Sequence, residues 1–365
     1  MKKIFFSLVA LAAIAACSKS EVEYTDLSEI AFAPVSKLSA KSAVVDNNYP
    51  DALNMFVFAN AGLDGTDDNA IVDLAECTDV YLKNAEFTHR NDLATDVFGG
   101  VTPYYWPNVK SLWFAGVSKS GNINNGATPL VNFADNTITI NGYAPGEPSP
   151  TSGQTKTAAG VNDLMYFVPC GPYSKAQNAT TPIVLTMKHA CSWITVKVAG
   201  NEVSGAENTT WKIKALKITN LSPSGDLTVN NATTPTTVTW TESTTKTGTF
   251  GLKTATADVP LTQTPTDLLT ATSAIVIPQA PANLYVQYEY VSQPAQNEQS
   301  EIITTEEITL PLTYNGNEEW LPGYHYTYNL TISAEEILLE PKAETWVDYD
   351  KDSTTDGIQN PSLNI

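Results

Sequence analysis

Apolar residues recur at every second position in short runs that stop at clusters of Gly, Pro, Ser, Asn and Asp, the pattern of half-buried strands ended by turns. Glu29-Ile30-Ala31-Phe32-Ala33-Pro34-Val35 alternates in this way, and Leu53 to Ala59 does so after Tyr49-Pro50. Further strands are expected at Leu112–Ala115, Thr137–Ile140 and Leu164–Val168, the last after a Gly-, Pro-, Ser- and Thr-dense stretch from Asn141 to Gly160. In Ile183, Leu185, Met187, His189, Cys191 and Trp193 every second residue can face a core, and the phase then flips to Ile194, Val196 and Val198, as a β-bulge would allow. Trp211–Leu221, Ala274–Ile277, Leu284–Val291 and Tyr324–Ile332 extend the series; in the last, Tyr324, Tyr326 and Tyr328 share one face and His325, Thr327 and Asn329 the other. No 3.6-residue period is sustained after residue 16, and Asp73 to Lys83 reads equally as a strand or a short helix. The expected class is all-β. The texture resets after Gly171 to Asn178, so a domain boundary is placed there, with β-sandwiches over 29–178 and 179–346 and a polar tail over 347–365.

Composition narrows the function. A length of 365 residues suits two domains. A formal charge of −19 gives no electrostatic footprint for phosphate backbones, which excludes nucleic acid as a partner. A 42% hydrophobic content is enough to build a core, so wholesale disorder is excluded too.

The first residues carry a more specific message. Lys2 and Lys3 precede an apolar stretch from Ile4 to Ala16 that is too short to span a bilayer comfortably, so 1–16 reads as a signal peptide. Its end, Ile14-Ala15-Ala16-Cys17, resembles the lipobox of bacterial lipoproteins, with Ile14 where Leu is commoner. Cys17 is then the acceptor of the lipid, and its removal from the leader makes the chain two charges more negative. Residues 17–28 begin as a polar tether, in which Glu21 and Glu23 are similar to the acidic export tags of Bacteroidetes surface lipoproteins. Lipid contributes about 0.8 kcal/mol per buried CH₂, so the chain is expected on the outer membrane without a transmembrane helix. With Cys17 lipidated, Cys77, Cys170 and Cys191 allow at most one disulfide, and Cys191 reads as a buried thiol.

The chemical inventory is thin. His89, His189 and His325 lack metal-ligand spacing, and GxSxG, P-loop and CxxC patterns are missing. His189 lies on an apolar strand face and reads as a core histidine. Asp348, Asp350 and Asp352 begin like a calcium loop, but Ser353 replaces the required Gly and Gln359 the bidentate Glu; Asp64, Asp67, Asp68 and Asp73 fit no better. No enzyme, cofactor or metal is expected. Aromatic residues that could stack on sugars mostly occupy strand-period positions, which makes core packing their default role.

Several segments together resemble the Bacteroidetes fimbrillins, the lipoprotein precursors of donor-strand pili. They are Glu29-Ile30-Ala31-Phe32 with Lys41 and Tyr49-Pro50; Phe56-Val57-Phe58-Ala59; Tyr104-Tyr105-Trp106-Pro107 with Leu112-Trp113-Phe114-Ala115; Asp163 to Tyr166; Leu185 to Ala190; Ile277-Pro278-Gln279; and Trp320 to Tyr328. The resemblance implies two transthyretin-like β-sandwich domains and a structural role on the cell surface, in a fimbrium that supports adhesion and biofilm contact. It implies proteolytic cutting at Lys41 or Lys37, loss of the first strand with Ile30, Phe32 and Val35, and filling of the vacated groove by a strand from the C-terminal end of a neighbour. Other pilin subunits, the outer membrane and host or bacterial surface ligands are the implied partners. The donor is left between Ile337–Tyr349 and a tail that Pro361 interrupts. The alternative is a non-polymerising anchor, or a surface lipoprotein that binds glycan or another ligand.

Overall fold

The computed structural model describes residues 28–35, 49, 53–62, 73–90, 92, 97–107, 110–123, 125–145, 163–201, 209–253, 257–269, 274–292, 302–314, 319–333 and 337–345. Its strands run, in chain order, β1 (Ala31–Val35), β2 (Met55–Ala61), β3 (Asp79–His89), β4 (Phe98–Gly100), β5 (Leu112–Ser118), β6 (Pro129–Asn132), β7 (Thr137–Tyr143), β8 (Met165–Tyr173), β9 (Ile183–Thr186) and β10 (Lys188–His189). They continue as β11 (Ser192–Gly200), β12 (Thr209–Leu221), β13 (Gly225–Asn230), β14 (Thr237–Glu242), β15 (Gly248–Gly251), β16 (Val259–Pro260), β17 (Thr266–Asp267), β18 (Ala274–Val276), β19 (Asn283–Ser292), β20 (Ile302–Pro311), β21 (Tyr324–Ile332) and β22 (Ile337–Thr345). The all-β class is as expected. Within Asp73–Lys83, a 3₁₀ turn at Leu74–Glu76 precedes the start of β3. Among the described residues no helix is long and apolar enough to cross a membrane.

The first sheet has the order β10-β8-β5-β2-β3-β4-β1-β9. Its two ends are consecutive in sequence: β9 and β10 are separated by Met187 alone. One stretch of chain therefore pairs with β1 through Ile183–Thr186 and with β8 through Lys188 and His189, and the sheet rolls closed.

Strict alternation divides the roll into an inner and an outer face. Met55, Val57, Phe114, Met165 and Phe167 point inward, into a core that Ile30, Phe32, Phe87, Phe98, Ile183 and Leu185 share. Phe56, Phe58, Ala115, Val117 and Tyr166, from the same β2, β5 and β8, point outward into a second core. A four-stranded sheet, β14-β13-β7-β6, covers that outer face. The remaining strands form a sandwich of β17-β11-β21-β22 on β15-β12-β19-β20, with Ile194, Val196, Val198, Ile213, Val286, Tyr328 and Leu330 in its core.

The phase flip after Cys191 has a cause other than a bulge. β10 ends at His189 in the roll, the chain bends at Cys191, and β11 starts at Ser192 in a different sheet. A new sheet brings a new inward direction, so Ile194 follows Cys191 into burial out of phase. Pairing also runs across residue 178 in two places: β9 and β10 belong to the roll, and β13 pairs with β7.

Candidate functional site

β1 is the inserted member of the roll. It runs antiparallel to β4 at Ala31 and Phe32 and parallel to β9 from Phe32 to Val35. Ile30 and Phe32 are fully buried, Pro34 is buried next in the alternation, and Val35 ends the strand opposite Thr186. The Phe32 ring meets Phe87 edge-on at 5.0 Å and Phe114 at 5.1 Å, so one side chain contacts strands from both sides of the inner core. Burial of Ile30 and Phe32 contributes about 1.5–3 kcal/mol each.

Few other bonds hold the segment. The Ile30 amide donates to the Tyr104 carbonyl at 2.7 Å and the Trp106 amide to the Ser28 carbonyl at 3.0 Å, while the Tyr49 amide reaches the Pro34 carbonyl at 3.4 Å. Arg90 pairs with Glu29 at 3.3 Å. Tyr104, Tyr105 and Trp106, singled out by sequence as an aromatic turn before a strand, thus form the wall against which the start of β1 rests. Between Val35 and Tyr49 the chain carries Lys37 and Lys41; these two, Cys17 and the 347–365 tail lie outside the described residues.

Where β10 meets β8, next in sequence to the β9 partner of β1, the roll is pinned by buried polar groups. His189 Nδ1 lies 2.7 Å from Asp163 Oδ2, and their side chains are 3% and 1% exposed. Ser118 Oγ donates to the Asp163 carbonyl at 3.0 Å and accepts from the Met165 amide at 2.8 Å. Ser120 and Tyr143 hydroxyls meet at 3.2 Å. Burial is the main reason that the Tyr143 phenol and the Cys191 thiol ionise only far above their ordinary ranges, so neither is a nucleophile or base at neutral pH. His189 is a core histidine, as its strand face predicted, and its partner Asp163 was not foreseen. Cys77, Cys170 and Cys191 form no disulfide with one another. Among the described residues no His, Cys, Asp and Glu group could hold a metal ion; of the acidic residues weighed for calcium, only Asp73 is described.

The third histidine has a different setting. His325 stacks on Trp193 with ring centroids 3.9 Å apart and lies 2.9 Å from Thr195 Oγ1. Burial lowers its pKa to about 4 against the opposing pull of Glu344. It is neutral and structural.

Sandwiched and rolled sheets, with polar groups committed to packing, define an all-β protein. A fimbrillin-like family model matches residues 43–346, and the chain belongs to that family. The fold is similar to that of a fimbrial protein from Bacteroides vulgatus, at a TM-score of 0.55 and 15% identity over 87% of this chain and 99% of that one. The tip fimbrial protein Mfa3 of Porphyromonas gingivalis aligns at a TM-score of 0.36 and 11% identity, over 87% of this chain and 100% of that one. No curated protein matches the sequence. Membership indicates a fimbrial subunit role at the cell surface, beside other fimbrial subunits, in a family of structural rather than enzymatic proteins.

Proposed function

We propose that the protein is a structural subunit of cell-surface fimbriae, lipidated at Cys17 for export to the outer membrane and polymerised by strand exchange. In this reading a protease cuts at Lys41 or Lys37, β1 leaves with Ile30, Phe32 and Val35, and a strand from another subunit enters between β4 and β9. Two transthyretin-like β-sandwich domains are part of the proposal, the first taking in β9 and β10 and so extending past residue 178. The observation that carries it is the position of β1. It lies between β4 and β9, paired with both, so its departure bares two backbone edges and an apolar slot at once. An empty slot of that kind is unstable, and a strand that restores both ladders and the contacts of Ile30 and Phe32 binds durably.

Mild proteolysis after Lys37 or Lys41, followed by mass spectrometry and negative-stain microscopy, tests this reading. Lipid-free protein that lengthens into fibres is expected. Protein that is cleanly cut and stays monomeric overturns it. One observation favours a second reading, that of an anchor or terminal subunit which keeps its lipid and β1. β22 is already paired with β21 from Ile337 to Thr345, so a donor would have to come from the polar residues beyond it. Support of adhesion completes the proposal, and binding of glycan or another ligand belongs to the non-polymerising alternative.

A further inference from the structure

We infer that the β13–β14 hairpin is a clasp: it belongs by sequence to the second half of the chain and holds the first half folded while β1 is out of its slot. The inference rests on the strand-exchange reading only in supposing that β1 leaves.

The two faces of the roll supply the reason. Ile30 and Phe32 pack into the inner core and contribute nothing to the outer one. Departure of β1 therefore loosens one face of β2, β5 and β8 and leaves the other covered. That cover is a composite. β6 and β7 come from the first half, and β13 and β14 are laid against β7 from more than eighty residues downstream. Leu227 and Val229, opposite Ile140 and Ile138, are fully buried, and Ile275 and Ile277 join them from β18 and the residue that follows it.

The hairpin is fastened at each end and on its outer strand. At the tip, the Asn231 amide donates to the Asn136 carbonyl at 3.0 Å, and the Asn136 side chain returns a bond to the Asn231 carbonyl at 3.3 Å. At the base, the Gly142 amide donates to Asp226 Oδ1 at 2.7 Å. From β14, the Trp240 indole donates to the Ala190 carbonyl at 2.8 Å, one residue past the stretch that closes the roll. The clasp thus grips the closing segment from outside, where the movement of β1 does not reach. With either β1 or the hairpin in place, β2, β5 and β8 keep one face buried. With both loosened they keep neither.

Hydrogen exchange on the full-length chain tests this, using Phe32→Asp to drive β1 out and the pair Leu227→Ala and Val229→Ala to loosen the clasp. The expected result is that Phe32→Asp alone speeds exchange in β1, β4 and β9 and spares β2, β5 and β8. The clasp variant alone spares them as well. Combined, the two should speed exchange in β2, β5 and β8 at least tenfold beyond the product of the separate effects. A combined effect equal to that product overturns the inference. So does an equal synergy when Ile213→Ala, in the separate core of the second half, replaces the clasp variant, since any destabilisation would then serve. If Phe32→Asp prevents folding, Phe32→Ala takes its place with the same outcomes. No step requires a fibre: failure to polymerise after cutting would overturn strand exchange and leave these rates unaltered.

Discussion

β1 and β11 are laid out alike and secured very differently. Both run parallel to a later strand, β1 to β9 and β11 to β21. In β1 that parallel register lasts from Phe32 to Val35; in β11 it extends from Trp193 to Gly200, with β18 and β17 along the other edge. Connectivity widens the gap. Only two residues separate β10 from β11, so β11 cannot move without pulling on the closure of the roll, whereas thirteen residues separate Val35 from Tyr49. The same parallel pairing is a permanent joint where the chain is taut and long in register. Where the register is short, it suits a strand that can be exchanged.

The largest effect expected from breaking this contrast lies at the buried His189–Asp163 pair, where β10 meets β8. His189→Ala leaves the Asp163 carboxylate buried without its imidazole partner, a change that costs about 3–5 kcal/mol. Urea denaturation of the two proteins measures it. A loss below about 1 kcal/mol would show that the pair does not pin the roll.

The comparison itself is sharpened by Ile30→Ala and Ile194→Ala, one residue type fully buried in each setting. In a strand that unfolds only with the whole core, Ile→Ala costs about 2–5 kcal/mol, and Ile194→Ala should move the main unfolding transition by that much. Ile30→Ala should instead speed exchange of the β1 amides and move the main transition much less, the result expected of a strand that detaches ahead of the core. Equal shifts of the main transition would erase the distinction drawn above.

Acid should weaken the β11 side specifically. His325 is held neutral down to about pH 4, whereas its ordinary value is 6.5. Below pH 6.5 the unfolded chain takes up a proton that the folded chain refuses, so stability falls as pH drops through that window, by roughly 3 kcal/mol at its end. His325→Phe keeps a ring on Trp193 and should flatten this acid limb in thermal melts between pH 7 and 4. An unchanged slope would assign the acid sensitivity to other groups.

How far this contrast could be read from sequence depends on whether the signal was local. Ile30 and Phe32 stand in clean alternation beside turn residues, and burial follows from that pattern alone. β13 and β14 offer only Leu227, Val229, Val238 and Trp240 among threonines and asparagines, and their partner β7 lies far upstream. Alternation reports which face a side chain takes and is silent on which strand it pairs with. For the same reason the flip at Cys191 looked like a bulge, although it marks passage between sheets. His189 announced itself as buried, but Asp163 is 26 residues earlier, beyond the reach of any spacing rule.

The smallest effect is the most diagnostic of how β1 is released. Arg90, the one arginine in the chain, reaches from the end of β3 to Glu29, with side chains 24% and 17% exposed. Pairs this close to solvent contribute about 0.2–1 kcal/mol. Glu29→Gln should therefore leave the denaturation midpoint nearly unchanged. If β1 opens from its first residues, however, loss of the pair should raise the exchange rates of the Ile30 and Phe32 amides by up to about fivefold, since 1 kcal/mol is close to that factor in an equilibrium constant. Salt at 0.5 M should produce the same acceleration in the unaltered chain and none in the variant, because the Debye length by then is well under 10 Å. If β1 opens from the Val35 end, neither treatment has an effect, and release begins on the side that carries Lys37 and Lys41.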